Sequence, residues 1–167
     1  YGPDACDVDA DGDLDLWMPD GSAGLRLQLL VNDGRGTFAD ETRSRVKVGS
    51  NVSADDDEVQ CLDVDLDGDF DAVVASLSGN ERILINDGKG YFTLLPGAFP
   101  KVADSTLGLD LGDLNGDGRL DAVTAQGEGG AYLNRLYLGS TAQTLDSRPP
   151  LFRAVEQAVG GPGGGEV

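Results

Sequence analysis

Aspartates recur at alternate positions in three short segments of the chain. The segments are DVDADGDLD from Asp7, DVDLDGDFD from Asp63 and DLNGDGRLD from Asp113. Like charges this close repel one another in a folded chain unless a cation lies between them. Ligands that are all oxygen, without nitrogen or sulfur, suit Ca²⁺. The segments, called loops 1, 2 and 3 below, are therefore predicted to bind one calcium ion each.

The spacing within each loop assigns the ligands. Counted from the first aspartate, positions 1, 3, 5 and 9 carry carboxylate or amide side chains, and position 6 is glycine, which allows a sharp turn. Position 7 is an arginine in loop 3, so we expect this position to bind through its backbone carbonyl. The predicted side-chain ligands are Asp7, Asp9, Asp11 and Asp15 in loop 1, Asp63, Asp65, Asp67 and Asp71 in loop 2, and Asp113, Asn115, Asp117 and Asp121 in loop 3. The predicted carbonyl ligands are Asp13, Asp69 and Arg119.

Other acidic loops fit the pattern less well. An EF-hand needs a glutamate at position 12 and flanking helices, whereas Met18, Val74 and Thr124 stand there inside apolar segments. The dockerin-type loop is excluded by the same lack of a following helix. A solvated acidic loop without an ion would explain a single copy, but three copies with the same glycine and the same final acid disfavour it. Mg²⁺ is the alternative bound ion, although flexible all-oxygen loops favour the larger Ca²⁺.

A second motif follows each loop and defines a repeat. NDGRGTF ends at Phe38 and NDGKGYF ends at Phe92, while the third copy has Gly139 and Ser140 in place of Asn-Asp-Gly and ends at Phe152. Two motifs in constant order at a period of roughly 50 residues indicate repeats. Each repeat is predicted to hold four short antiparallel strands, the last two joined by a hairpin whose Asp-Gly supplies positive backbone angles. The segment LFRAVEQAV near the end is assigned to a fourth strand, with a helical turn as the alternative.

The predicted fold class is all-β, built from three β-propeller-type blades of four antiparallel strands. The blades cover about residues 1–50, 51–102 and 103–160, and residues 161–167 form a glycine-rich tail or linker. Closed propellers need four to eight blades, and the end blades lack the polar caps of solitary repeat arrays. We therefore expect an incomplete ring or part of a larger assembly. Either the chain is a piece of a longer propeller, or its end blades pack on other subunits.

The combination of the Asp-rich loop with the later Asn-Asp-Gly-x-Gly-x-Phe resembles the FG-GAP/VCBS repeat, the blade of integrin-α-like β-propellers. The resemblance covers about residues 4–155. It implies that each loop binds Ca²⁺ between the first two strands of its blade, through the ligands assigned above. It also implies an extracellular or cell-surface location, and a role in adhesion, in carbohydrate or protein binding, or as a scaffold beside enzymes.

The composition narrows the classes of function. Aspartate plus glutamate outnumber lysine plus arginine 30 to 12, which gives a net charge of −18 and argues against nucleic acid or an anionic membrane as partner. No stretch approaches the roughly 20 apolar residues of a membrane span. The chain has no histidine, the commonest general base, so we expect a protein that is not an enzyme.

The predicted function is a non-catalytic, calcium-stabilised extracellular module for adhesion, recognition or assembly. Its partners would be a protein or carbohydrate ligand, or further blades or subunits of the same assembly. One alternative is a structural subunit of an extracellular fibre or multi-chain assembly. Another is the propeller domain of a polysaccharide lyase or hydrolase, because a catalytic pair of carboxylates leaves little sequence signature.

Two features suggest covalent modification. Cys6 and Cys61 both precede a loop, on the first strands of neighbouring blades, at offsets that point them to opposite faces. Stacked blades bring opposite faces together, so a disulfide is predicted, with two buried thiols as the alternative. Asn51 begins the sequon Asn-Val-Ser between blades 1 and 2 and is a candidate glycosylation site.

Overall fold

The computed structural model describes residues 1–20, 26–102, 105–127, 133–140 and 151–154. Blade 1 contains β1 (Asp4–Cys6), β2 (Asp15–Asp20), β3 (Arg26–Asn32), β4 (Phe38–Asp40) and, after them, the single-turn helix α1 (Thr42–Arg45). Blade 2 contains β5 (Asp56–Leu62), β6 (Asp71–Ser76), β7 (Arg82–Ile85) and β8 (Thr93–Leu94). Blade 3 contains β9 (Thr106–Gly112), β10 (Asp121–Gln126), β11 (Arg135–Gly139) and β12 (Phe152–Ala154).

Each blade is a four-stranded antiparallel sheet in which the strands pair in chain order. The predicted all-β class, with three blades of four strands, is therefore confirmed. The described sheets do not close into a barrel, which agrees with an incomplete ring. None of the described helices has the length or apolar character needed to cross a membrane.

The end of the chain is described only in part. Phe152–Ala154 is a strand paired with β11, as predicted for the start of LFRAVEQAV. The rest of that segment and the tail 161–167 lie outside the described residues. The blade boundaries stay predictions.

The position of a blade in the row decides how its strands are buried. All six residues of β6 are buried, because blade 2 has a neighbour on each face. In β3, by contrast, Leu27, Leu29 and Val31 are buried while the residues between them are partly exposed, because blade 1 packs on blade 2 through one face.

Two apolar clusters lie between the blades. Trp17 and Phe92 meet edge to face in the cluster between blades 1 and 2, with their ring centroids 4.8 Å apart. Phe99 lies 5.4 Å from the Tyr137 ring and 4.4 Å from the Phe152 ring in the cluster between blades 2 and 3. Alternate residues of β6 belong to the two clusters, as the two-residue period of a strand requires.

A disulfide joins the first strands of blades 1 and 2. Cys6 at the end of β1 is bonded to Cys61 in β5, and their Cα atoms lie 6.3 Å apart. The Asp4 carboxylate accepts the N–H of Cys61 at 2.8 Å beside this bridge. Blades 1 and 2 are therefore linked covalently next to the point where loop 1 begins.

Candidate metal centres

Each loop connects the first and second strands of its blade, and its backbone needs two left-handed residues. The position-6 glycines supply one of them in Gly12, Gly68 and Gly118, whose φ angles are 97°, 99° and 79°. Position 4 is the other, with φ 60° at Ala10, 62° at Leu66 and 76° at Gly116. Sequence reasoning recognised the first and missed the second, although the glycine at position 4 of loop 3 was a signal for it.

The carboxylate at position 1 fixes the curl of the loop. In loop 2, Asp63 accepts the N–H of Asp67 at 3.1 Å and the N–H of Gly68 at 3.0 Å through different oxygens. Loops 1 and 3 repeat this pair of bonds at Asp7 and Asp113. Because the acceptor faces the inside of the turn, its oxygens lie where a cation would bind.

The aspartate at position 9 joins the loop to the hairpin of its own blade. In loop 2, Asp71 accepts the N–H of Val64 at 3.1 Å and the N–H of Asn86 at 2.8 Å. The same two bonds are made by Asp15, to Val8 and Asn32, and by Asp121, to Leu114 and Gly139. Sequence reasoning assigned this residue only as a ligand. The constant pairing of loop and hairpin motifs was the signal for its second, structural role.

The structure brings the acids of positions 1, 3 and 9 together in two loops. One oxygen from each of Asp7, Asp9 and Asp15 lies within 4.8 Å of the other two. Asp63, Asp65 and Asp71 form the same arrangement in loop 2. Among the described residues loop 3 shows no such group of three acids, since Asn115 occupies its position 3 and offers an uncharged amide oxygen.

Buried oxygens without partners mark the same two loops. Oδ1 of Asp9, Asp13, Asp65 and Asp69 is buried and has no hydrogen-bond partner among the described residues. Buried polar atoms are nearly always satisfied, so a bound cation is the natural partner for these oxygens. Asp13 and Asp69 stand at position 7, where sequence reasoning expected only the backbone carbonyl to bind. Burial first, and then the neighbouring aspartates of the same loop, raise the pKa of both side chains.

The electrostatics of loop 2 favour an added positive charge. Burial raises the pKa of the Asp71 carboxyl to about 8, although its two backbone N–H bonds act in the opposite direction. Burial, followed by the nearby Asp67 and Asp65, raises the pKa of Asp69 to about 6. Without a cation, loop 2 therefore holds a proton at neutral pH. A divalent ion would displace that proton.

Loop 3 differs in its charges. Backbone N–H groups, that of Gly118 first, lower the pKa of Asp113, because they stabilise its ionised form. The Arg119 guanidinium lies 3.8 Å from the Asp117 carboxylate, and the Arg119 side chain is 40% exposed. Positions 3 and 7 of loop 3 thus contribute two carboxylates fewer and one cation more than in loops 1 and 2.

Arg45 of α1 connects loop 1 to blade 2. Its Nη2 lies 2.9 Å from Asp9 Oδ2, and its Nη1 donates to the carbonyl oxygen of Lys89 at 3.1 Å. The guanidinium therefore holds one oxygen of a predicted ligand and leaves the other unpartnered. Sequence reasoning missed Arg45, because no local pattern relates a residue of α1 to a loop much earlier in the chain.

The sequon residue Asn51 lies between blades 1 and 2. Its side-chain nitrogen, to which a glycan would be attached, donates to the Leu27 carbonyl oxygen at 2.6 Å. Glycosylation at Asn51 would break this hydrogen bond, and it stays a prediction.

The comparison with known families supports the repeat assignment. Residues 63–124 match the FG-GAP-like repeat, a segment that runs from the first ligand of loop 2 to the strand after loop 3. No curated protein sequence gives a significant match to the chain. The resemblance predicted from the loops and hairpins is thereby confirmed, and residues 63–124 carry the FG-GAP-like repeat.

Proposed function

We propose that the protein is a calcium-binding, calcium-stabilised extracellular module of the β-propeller type. It is non-catalytic and serves adhesion, recognition or assembly, with a protein or carbohydrate ligand or further blades as partner. The observation that carries this proposal is the convergence of three carboxylates in each of loops 1 and 2, with buried oxygens that lack partners among the described residues. A hard cation satisfies those oxygens and neutralises the charge at once.

The donor set favours calcium over other metals. All the predicted ligands are oxygens, and the chain contains no histidine, the usual ligand of transition metals. Ca²⁺ accepts six to eight oxygens in a flexible geometry, whereas Mg²⁺ demands a near-ideal octahedron and retains several waters. A short loop with five ligand positions suits the more flexible ion.

The extracellular, non-catalytic role has separate support. A disulfide between blades persists in an oxidising compartment, and extracellular calcium modules bind their ion at roughly 10⁻⁴–10⁻³ M. The carboxylates of loops 1 and 2 accept hydrogen bonds from the loop backbone or converge on one another. They are therefore poorly placed to act as general acids. The net charge of −18 disfavours nucleic acid and favours cation-mediated contacts.

Calorimetric titration with calcium tests the proposal, together with thermal unfolding in calcium and in EDTA. We expect three sites. At a dissociation constant of about 10⁻⁴ M and about 5 mM calcium, each site adds about 2 kcal/mol to the free energy of unfolding. Three sites would raise Tm by more than about 10 °C. Fewer than two sites, or a Tm that ignores EDTA, would contradict the proposal, and a magnesium titration serves as the comparison.

A further inference from the structure

The few cations of this acidic chain are not spread evenly. The sequence holds 12 lysines and arginines against 30 acids, yet three of these cations line one cavity of ≈ 180 Å³ beside α1. They are Arg26 at the start of β3, Arg43 in α1 and Lys47 just after α1. All three are exposed, and none forms an ion pair within the part of the chain that the structure describes. This basic cavity therefore carries positive charge without a described counter-charge.

The acids next to α1 are bonded to other groups. Glu41 is ion-paired with Arg45 at 2.6 Å. Asp40 accepts hydrogen bonds from the Thr42 hydroxyl at 2.6 Å and from the Thr42 N–H at 3.1 Å. Each carboxylate thus has a partner that is not a cation of the basic cavity, and the three cations remain available to an external anion.

The acids of loop 1 lie at the far end of a strand from the basic cavity. β2 begins at Asp15 of loop 1 and ends at Asp20, which pairs with Arg26 across the sheet. The six residues of β2 span about 17 Å, roughly two Debye lengths at physiological salt. Salt therefore screens much of the repulsion that loop 1 would exert on an anion in the cavity.

Hydrogen bonds fix the walls of the basic cavity. The Thr42 hydroxyl accepts the N–H of Leu29 in β3 at 2.8 Å. The N–H of Lys47 donates to the Phe92 carbonyl oxygen at 2.9 Å, which attaches this segment to blade 2. The cations therefore extend from a backbone that is already held in place, and this lowers the entropic cost of binding a ligand.

An acceptor without a partner lies beside the cations. Asn51 lines the basic cavity, and its Oδ1 is buried with no hydrogen-bond partner among the described residues. Its side-chain nitrogen donates to the Leu27 carbonyl oxygen at 2.6 Å, so exchanging the two amide atoms would set two acceptors against each other. Buried polar atoms are nearly always satisfied. A ligand that fits here thus brings a hydrogen-bond donor as well as negative charge.

An acidic sugar combines these two properties. Its sulfate or carboxylate group carries the charge, and the hydroxyls of the same ring are donors. Arginine and lysine bind such anions through charge-assisted hydrogen bonds. The ionised side chains of an acidic peptide, by contrast, are acceptors only. Since typical small-molecule sites begin at about 300 Å³, a cavity of ≈ 180 Å³ suits a single ring of a longer glycan.

We propose that the basic cavity formed by Arg26, Arg43 and Lys47 binds an acidic glycan through the sulfate or carboxylate group of one sugar ring. The cations contact the anionic group, and Asn51 Oδ1 accepts a hydrogen bond from a ring hydroxyl. The site is separate from the calcium loops. It gives the recognition role proposed above a ligand class, and it rests on that role.

Titration of the calcium-loaded protein with three tetrasaccharides tests the proposal. A carrageenan tetrasaccharide carries sulfates, a hyaluronan tetrasaccharide carries carboxylates, and an agarose tetrasaccharide is neutral. We expect at least one of the charged glycans to bind, with an affinity that falls as salt is added, and the neutral one not to bind. The protein is produced without N-glycosylation, because a glycan on Asn51 would obstruct the cavity.

Two double variants with the same change in net charge locate the site. Arg43→Glu/Lys47→Glu should weaken binding at least about tenfold, because each substitution replaces an attraction at the anion by a repulsion. Arg35→Glu/Lys89→Glu is the matched control, since both side chains are exposed in hairpin turns outside the cavity. It should change binding less than about twofold. Thermal unfolding in calcium verifies that both variants are folded.

Several results would overturn the proposal. They are a failure of both charged glycans to bind, equal binding of the neutral glycan, and an equal loss in the control variant. A pentaglutamate peptide that binds as strongly as the charged glycans would assign the cavity to acidic peptides instead. The calcium titration described above separates the two proposals: if calcium binds but no glycan does, only the assignment of the cavity is wrong, and glycan binding without calcium binding would contradict the calcium-binding role alone.

Discussion

Removing the disulfide between Cys6 and Cys61 should cost the protein a large part of its stability. The bridge closes a loop with a sequence separation of 55 residues and holds β1 against β5. A cross-link over that distance lowers the conformational entropy of the unfolded chain. This raises the free energy of unfolding by about 4 kcal/mol at room temperature. In a chain of this size, such a loss corresponds to a fall in Tm of about 10 °C.

Denaturant unfolding in the presence of calcium measures this difference. The protein is compared with the double variant Cys6→Ala/Cys61→Ala, each with and without a strong reductant. We expect the reduced parent and the double variant to unfold at similar denaturant concentrations, well below the oxidised parent. The double variant is its own control for the reductant, which should leave its midpoint unchanged.

Two results would refute the reasoning. A stability change below about 1 kcal/mol would mean that the bridge does not restrict the unfolded chain as its loop length requires. Two free thiols in mass spectrometry of the unreduced protein would remove the bridge itself, and with it one support for an extracellular location.

Three further predictions concern the loops. Asp67→Ala should weaken calcium binding at loop 2 at least about tenfold by calorimetry. Arg119→Ala should change calcium binding at loop 3 less than about threefold, since a positively charged arginine side chain binds no cation; the reverse order would contradict the assignment. Leu66→Gly should raise the free energy of unfolding by about 0.5–1 kcal/mol, because Leu66 has φ 62°, while Leu14→Gly in an exposed loop position should lower it. In EDTA, the free energy of unfolding should fall as pH rises from about 4 to 8, because folded Asp71 (pKa about 8) binds a proton that the unfolded chain releases near 3.8. If added calcium leaves this pH dependence unchanged, the result would argue against ion binding at loop 2.

Local patterns were enough to predict the strands and the loops. The alternating aspartates, the glycine at position 6 and the apolar run after each loop depend on neighbours within a few residues. β6 illustrates this, since the consecutive apolar residues of its AVVA segment already indicated a strand covered on both faces. The order of strands within a blade followed from the hairpin motif, whose Asp-Gly turn joins consecutive strands.

Contacts between distant parts of the chain could not be predicted in this way. Arg45 reaches Asp9 only because α1 and the hairpin of residues 86–92 both pack beside loop 1. The hydrogen bonds of Asp71 to Val64 and Asn86 connect the loop motif to the hairpin motif. The sequence shows only that one motif follows the other along the chain. The left-handed backbone at Leu66 was hidden, because leucine rarely adopts it and no residue-type signal marks it in that copy.

Equal sequence motifs therefore do not give equal sites in this protein. Loop 1 is covered by the hairpin of residues 86–92, hydrogen-bonded to Asn86 and joined to Arg45. Loop 3 exposes Leu114 and has an asparagine and an arginine among its predicted ligand positions. The motif fixes the fold of each loop through bonds within the blade. The neighbouring blade fixes how far the loop is shielded from water, and with it the strength of every charge interaction inside. Loop 3 thus has the predicted ligands of a metal centre without the cover that loops 1 and 2 possess, and the uncovered face beside it is one on which a further blade or subunit would pack.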